Sequence, residues 1–309
     1  MPTSDQEWLD TYSPRLVFHP DEKYFPYSLE KLYHQGYKNS PETLLYDNIC
    51  ITQNENVLNE APLYGKVDRI DGYIYIQYWI AYKFNGDQGC KLQGGLFAKK
   101  AYSFSWKPLA NHYADFENVC LKIHEETRKI IGLYASAHGS LSPLDGQTFD
   151  LVTYDDVTHP IIYSALSSHA NYTMAVDVLN PDATLDTVMP ILVPIITLGF
   201  YSSFSVCDRL SSEQNRDRKV WSGGPIINVG KLDIQLPENA WYSIDIWGGS
   251  VDQTKITVPP KGTPFRFILY IIMWFAVLLG LTKNFVRSDE KGTISPFRRS
   301  EFINPTLYF

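Results

Sequence analysis

Hydrophobic and polar residues along this chain follow the two-residue period of strands more often than the 3.6-residue period of helices. Residues 73–84 (YIYIQYWIAYKF) are dense in aromatic and β-branched side chains. Residues 116–123 alternate, with Val119, Leu121 and Ile123 on one face. Segments 129–135, 161–165, 226–229 and 244–247 are further short strand candidates. Turn signals separate them, among them Asn85-Gly86-Asp87, Gly94-Gly95, Leu144-Asp145-Gly146, Gly223-Gly224-Pro225 and Gly248-Gly249. Short helices are expected at 5–12 and 28–35. With few helical stretches between the strands, the pattern predicts a mainly β fold, an antiparallel β-sandwich over residues 1–260.

The pattern changes near the C-terminus. Residues 267–282 (FILYIIMWFAVLLGLT) carry no charge and no polar stripe. At 1.5 Å per residue the run is roughly 24 Å long, and counting 265–286, with Arg266 and Lys283 snorkelling, gives about 33 Å. This predicts a transmembrane helix with Phe267, Ile272, Trp274, Leu278 and Leu281 in the bilayer. A linker and helix at 261–286 and a tail at 287–309 complete the expected organisation. Lys255, Lys261 and Arg266 before the run, against Lys283, Arg287, Lys291, Arg298 and Arg299 after it, do not set an orientation. A second uncharged run, 189–207, contains Pro190 and Pro194 and reads as buried strand or loop. The polar start, MPTSDQEWLD, predicts no signal peptide, so the expectation is a single-pass, C-terminally anchored membrane protein.

Charge and cysteines exclude several classes. Net charge is −7 and no basic stripe is present, which argues against a nucleic-acid partner. Cys50, Cys90, Cys120 and Cys207 are widely spaced, with no C-x-x-C pair, so neither a zinc ribbon nor a disulfide scaffold is expected.

Candidate chemistry concentrates at 111–117 (NHYADFE), which runs into the 116–123 strand. Strand period two puts Asp115 and Glu117 on the face of Val119, Leu121 and Ile123. Two inward carboxylates repel each other and resist desolvation unless a positive group lies between them. A divalent cation meets that need, with His112 adding a nitrogen, and Asp87, His138 and His169 are possible further ligands or pocket residues from other strands. Mg, Ca, Mn and Zn stay open. The plainer alternative is a pair of surface carboxylates on an edge strand. No G-x-S-x-G elbow or phosphate loop is present, and Cys120 lies on the opposite strand face. The charged stretch 208–219 reads as a solvated loop, and His19-Pro20-Asp21-Glu22 as a structural turn.

His112 with Asp115-Phe116-Glu117 resembles the H-x-x-D-[WF]-E signature of the vacuolar protein sorting sixty-two family. The resemblance continues at Leu16 to Pro26 (LVFHPDEKYFP), Tyr78-Trp79, Ser136-Ala137-His138-Gly139, His159 to Ala165 (HPIIYSA) and Ser168 to Tyr172 (SHANY), in order over roughly residues 13–175. The D-x-E and S-A-H-G blocks are similar, more distantly, to the necrosis- and ethylene-inducing-like cytolysins. That likeness implies a β-sandwich holding a divalent cation and recognising plant sphingolipid head groups, with Asp87, His112, Asp115 and Glu117 as the metal shell. The sequence departs in a longer stretch between Asp87 and His112, and in Ala114 where His or Gly is usual.

These readings lead to an expected non-enzymatic, membrane-anchored β-sandwich, a structural component linking a membrane to a protein assembly. A minor capsid protein in the virion of a large virus with an internal membrane would fit, its partners the lipid bilayer and other proteins of the assembly through the C-terminal tail. The alternatives are a metal-dependent module recognising a lipid head group or glycan, and a metal-dependent hydrolase.

Overall fold

The computed structural model of the chain describes residues 2–46, 55–86, 88–97, 100, 102–106, 111–137, 151–154, 157–173, 178–179, 200–208, 219–221, 223–248, 258–278 and 293–309. Asp87, His138, Leu281 and segments 189–199 and 209–218 therefore lie outside the described residues.

The fold is mainly β, with several sheets and a few short helices. Its centre is a five-stranded sheet that includes Leu63–Ile70, Tyr73–Asn85, His112–His124 and Ile130–Ala135 as neighbours. Asp71 and Gly72 join the first two strands with φ of 51° and 79°, as a tight two-residue hairpin of matching twist requires. Tyr73–Asn85 and His112–His124 then pair antiparallel from Tyr73 opposite His124 to Asn85 opposite His112.

This sheet is buried on both faces. One face presents Ile74, Ile76, Tyr78 and Ile80 with Val119, Leu121 and Ile123 to Leu16, Phe18, Ile162 and Trp221 of a second sheet, and to Trp8 and Leu9 of helix Asp5–Thr11. The other face, with Tyr64, Trp79, Ala81 and Phe116, packs on Leu44, Trp241, Trp247, Phe297 and Phe302. Burial on both sides explains why 73–84 is apolar almost throughout rather than alternating. Helices Asp5–Thr11 and Leu29–Tyr33 form where expected, capped by the Ser4 and Ser28 side chains. Within the second apolar run, Tyr201–Asp208 is a strand paired to Gln88–Gly94.

One expectation is corrected. Pairing is not wholly antiparallel: Arg15–Phe18 runs parallel to Val157–Ser164, Ile226–Asn228 to Leu63–Ile70, and Ile246–Trp247 to Thr43–Leu45. Turn chemistry governs adjacent strands only, whereas these partners come from distant parts of the chain, where long connections permit parallel pairing.

The expected C-terminal span finds no support among the described residues. The apolar run forms helix Arg266–Leu278, 13 residues and roughly 20 Å long. Among the described residues no helix is long and apolar enough to cross a membrane. The tail, moreover, returns to the main domain. Thr293–Ile294 pairs with Ile246–Trp247, and Phe297 and Phe302 enter the core on the second face of the central sheet. The Phe302 carbonyl accepts from Lys66 Nζ (2.8 Å) and Gln77 Nε2 (3.1 Å), and Tyr308 is buried against Cys120 and Tyr134. The described helix thus lends no support to the expected transmembrane span, and residues 293–309 pack against strands of the main domain.

Candidate functional site

Strand His112–His124 outruns its neighbour. Ile130–Ala135 pairs only as far as Ala135 opposite Val119, so positions 112–118 lack that partner along one edge. Over this edge lies a cavity of about 300 Å³, lined among others by Asn85, His112, Asp115, Glu117 and Ser136, with Arg299, Glu301 and Tyr308 supplied by the tail. Ala114 sits within the strand at a φ of 56°, a conformation in which a Cβ is strained and glycine is at ease. That is the position where the sequence departs from the usual His or Gly. The Ala114 carbonyl is held by the Thr293 hydroxyl at 2.9 Å, a contact from the returning tail.

Asp115 and Glu117 face inward, as the period requires, opposite Tyr82 and Ile80. Asp115 accepts from the Phe116 amide (3.0 Å) through one oxygen and from His169 Nδ1 (2.9 Å) through the other. Burial alone would push its carboxyl up, but the hydrogen bond from His169, the charges of His112 and His169 and the Phe116 N–H together hold it below the ordinary range. It stays ionised at neutral pH.

His169 is fully buried, with a φ of 58°, and its ring stacks on Tyr82 at 3.8 Å and 6°. Its Nε2 has no hydrogen-bond partner among the described residues and lies 3.9 Å from Glu22 Oε1. Glu22 is itself tied down by the amides of Lys23, Tyr24 and Ser167. The imidazole thus lies between two buried carboxylates. Tyr82 remains a neutral phenol. Burial raises its pKa well above 10.0, the carboxylates of Glu117, Asp115 and Glu22 raise it further, and the Ser164 hydroxyl opposes them.

Glu117 Oε2 accepts from the Ser136 hydroxyl, which in turn accepts from the Asn118 amide at 2.7 Å. His112 bridges the cavity wall: Nε2 lies 3.1 Å from Asn85 Nδ2, and Nδ1 lies 3.1 Å from the Ala114 carbonyl. The other amide atom, Asn85 Oδ1, is buried with no hydrogen-bond partner among the described residues. Across the cavity Arg299 stacks its guanidinium over Trp79 at 5.3 Å.

The structure therefore brings His112, Asp115 and Glu117 to one cavity and joins His169 to Asp115, although His169 is not among the cavity's lining residues. Asp87 and His138 lie outside the described residues. Among the described residues no group of three His, Cys, Asp or Glu side chains is arranged to enclose a metal ion. Sequence reasoning missed Asn85 as a cavity residue, Glu22 as the second carboxylate beside His169, and the tail residues. Asn85 and Glu22 sit in segments that read as turns, and nothing local links position 299 to position 117.

Residues 51–189 match the family of vacuolar protein sorting-associated protein 62. The vacuolar-sorting match contains Asn85, His112, Asp115, Glu117, Ser136 and His169, and leaves Glu22 and the tail outside it. The block at 16–26 that resembles the family likewise falls outside the matched residues. No curated protein matches the chain. Solved structures with some likeness include necrosis and ethylene inducing protein 2 from the causal agent of cocoa's witches' broom disease, at 19% identity over 56% of this chain and 70% of that one, with a TM-score of 0.33. NLPPya in complex with glucosamine shares 16% identity over 57% of this chain and 69% of that one, with a TM-score of 0.34. At these scores the likeness carries over neither topology nor chemistry.

Proposed function

We propose that this chain is a non-enzymatic binding module whose cavity takes a divalent cation and, through it, an oxygen-rich ligand such as a lipid head group or glycan. The observation that carries this reading is the convergence on one cavity of two inward carboxylates, Asp115 and Glu117, with His112 and Asn85 also in its lining. Asp115, kept ionised by His169, is available to a cation at neutral pH. The donor set is mostly oxygen, which favours Mg, Ca or Mn over Zn. A bound cation would supply positive charge between the carboxylates and open coordination positions for ligand hydroxyls. The chain's own contribution is orientation: Ser136 holds Glu117, His169 holds Asp115, and Asn85 with Ala114 sets the His112 ring.

The tail expected to reach assembly partners buries Phe297, Phe302 and Tyr308 against the chain's own strands, which favours the binding reading over the membrane-to-assembly one. Titration of the full chain with Mn(II), followed by electron paramagnetic resonance, tests the binding reading. A saturable site is expected, with affinity lowered at least roughly tenfold by Asp115→Asn combined with Glu117→Gln. No binding, or unchanged binding in the double variant, would overturn it.

A further inference from the structure

Helix Arg266–Leu278 carries no charge after its first residue. At about 100° per residue, Phe267, Ile271 and Trp274 fall within about 60° of one another, and Ile268 widens the arc. These four side chains are 63%, 51%, 48% and 38% exposed. Leu269, on the opposite side of the helix, is 1% exposed and seats it on the protein. Ring contacts extend the apolar surface onto other segments: Phe265 lies 6.1 Å from Phe200, and Phe200 lies 5.5 Å from Phe97. Phe97 is 68% exposed and its neighbour Leu96 85%. Three stretches far apart in the chain therefore present large apolar side chains together, an arrangement that marks an interaction surface.

Charge identifies the occupant. Around the helix, residues 252–290 contain Lys255, Lys261, Arg266, Lys283 and Arg287 against Asp252, Asp289 and Glu290, a local excess of positive charge in a chain of net −7. Lys261 is exposed just before the helix, and Arg266 stacks over the Phe267 ring at 4.9 Å. Apolar and aromatic side chains with Lys261 and Arg266 at one end of the helix suit the boundary between acyl chains and anionic head groups. The docked tail brings the chain back to the main domain after the helix, so the contact must be made from one side. We infer that this surface is a monotopic docking site for an anionic lipid bilayer. The helix lies in the membrane plane, with Phe97 and Leu96 entering beside it. This inference is independent of the cation site.

The test is co-sedimentation of the full chain with phosphatidylcholine vesicles with and without phosphatidylserine. Binding is expected with phosphatidylserine and to weaken with added salt. It should fall roughly tenfold in Phe267→Ser with Trp274→Ser, and again in Phe97→Ser alone, with circular dichroism and melting unchanged. On vesicles a membrane-impermeant maleimide should label both Glu126→Cys, in a turn of the main domain, and Leu307→Cys in the tail, since the two share one side. Three results would overturn the inference: vesicle binding indifferent to these variants, protection of Leu307→Cys alone, which means a span, or vesicle-independent dimers that the same variants dissociate.

Discussion

His169 carries more of the site's order than its place in the chain suggests. It is fully buried, donates to Asp115 and faces Glu22, so its removal leaves two buried carboxylates without the group between them. His169→Ala is expected to cost about 3 kcal/mol in urea unfolding, because it leaves a buried ionised carboxylate without its hydrogen-bond donor. Asp115 adds a pH dependence of known sign. Its folded pKa lies below the 3.8 of an ordinary aspartate, so the unfolded chain takes up that proton first. The stabilisation is present above about pH 4 and fades as pH falls through the folded value. Asp115→Asn should flatten the acid limb of stability against pH, measured by urea midpoints at stepped pH. The pairing of Asp115 with Glu117 was legible because strand period two is a local rule. Glu22 was not, because a carboxylate that accepts three backbone amides in a turn looks, in sequence, like any exposed turn residue.

Among the elements, the returning C-terminal segment is the one whose role the sequence conceals. Phe302 is 5% exposed, packs edge-on to Trp79 and Phe297, and its carbonyl satisfies Lys66 and Gln77. Phe302→Ala should cost about 3–5 kcal/mol, read as a drop in thermal midpoint. Gly132 makes room for the last residue: a Cβ there would stand 2.6 Å from Phe309 Cε1. The obstacle is a side chain near the chain end, so Gly132→Ala is expected to cost only about 1 kcal/mol and to raise proteolytic clipping at the C-terminus. Helices Asp5–Thr11 and Leu29–Tyr33 lie within the stretches 5–12 and 28–35 where short helices are expected, and the Ser4 and Ser28 caps that start them act over only three residues. A segment that docks on strands more than 200 positions away leaves no such local mark.

At the scale of the molecule, the central sheet is covered on one face by the sheet built around Arg15–Phe18 and on the other partly by residues 297–309. The same tail supplies Arg299 and Tyr308 to the cavity wall, so cover and site are one construction. Truncation after residue 292 should therefore lower the thermal midpoint, expose apolar surface to a hydrophobic dye and weaken Mn(II) binding together. Retention of the full melting temperature would mean the tail is an appendage after all. Buried thiols at Cys90 and Cys120 fit a core held by packing.

Taken by itself, the sequence determined that 73–84, 116–123 and the short segments near 130, 161, 226 and 246 become strands, where two short helices fall, and that Asp115 and Glu117 share the inward face. Each of these is set by neighbours within a few residues, through side-chain alternation, turn conformation and capping. Only the tertiary structure decided that strands pair in parallel across long connections, that His169 lies between Asp115 and Glu22, that Phe267 and Ile271 of the apolar helix stay exposed, and that Arg299, Glu301 and Tyr308 line the cavity. Those outcomes depend on which distant surfaces exclude water together, and no local pattern encodes that choice.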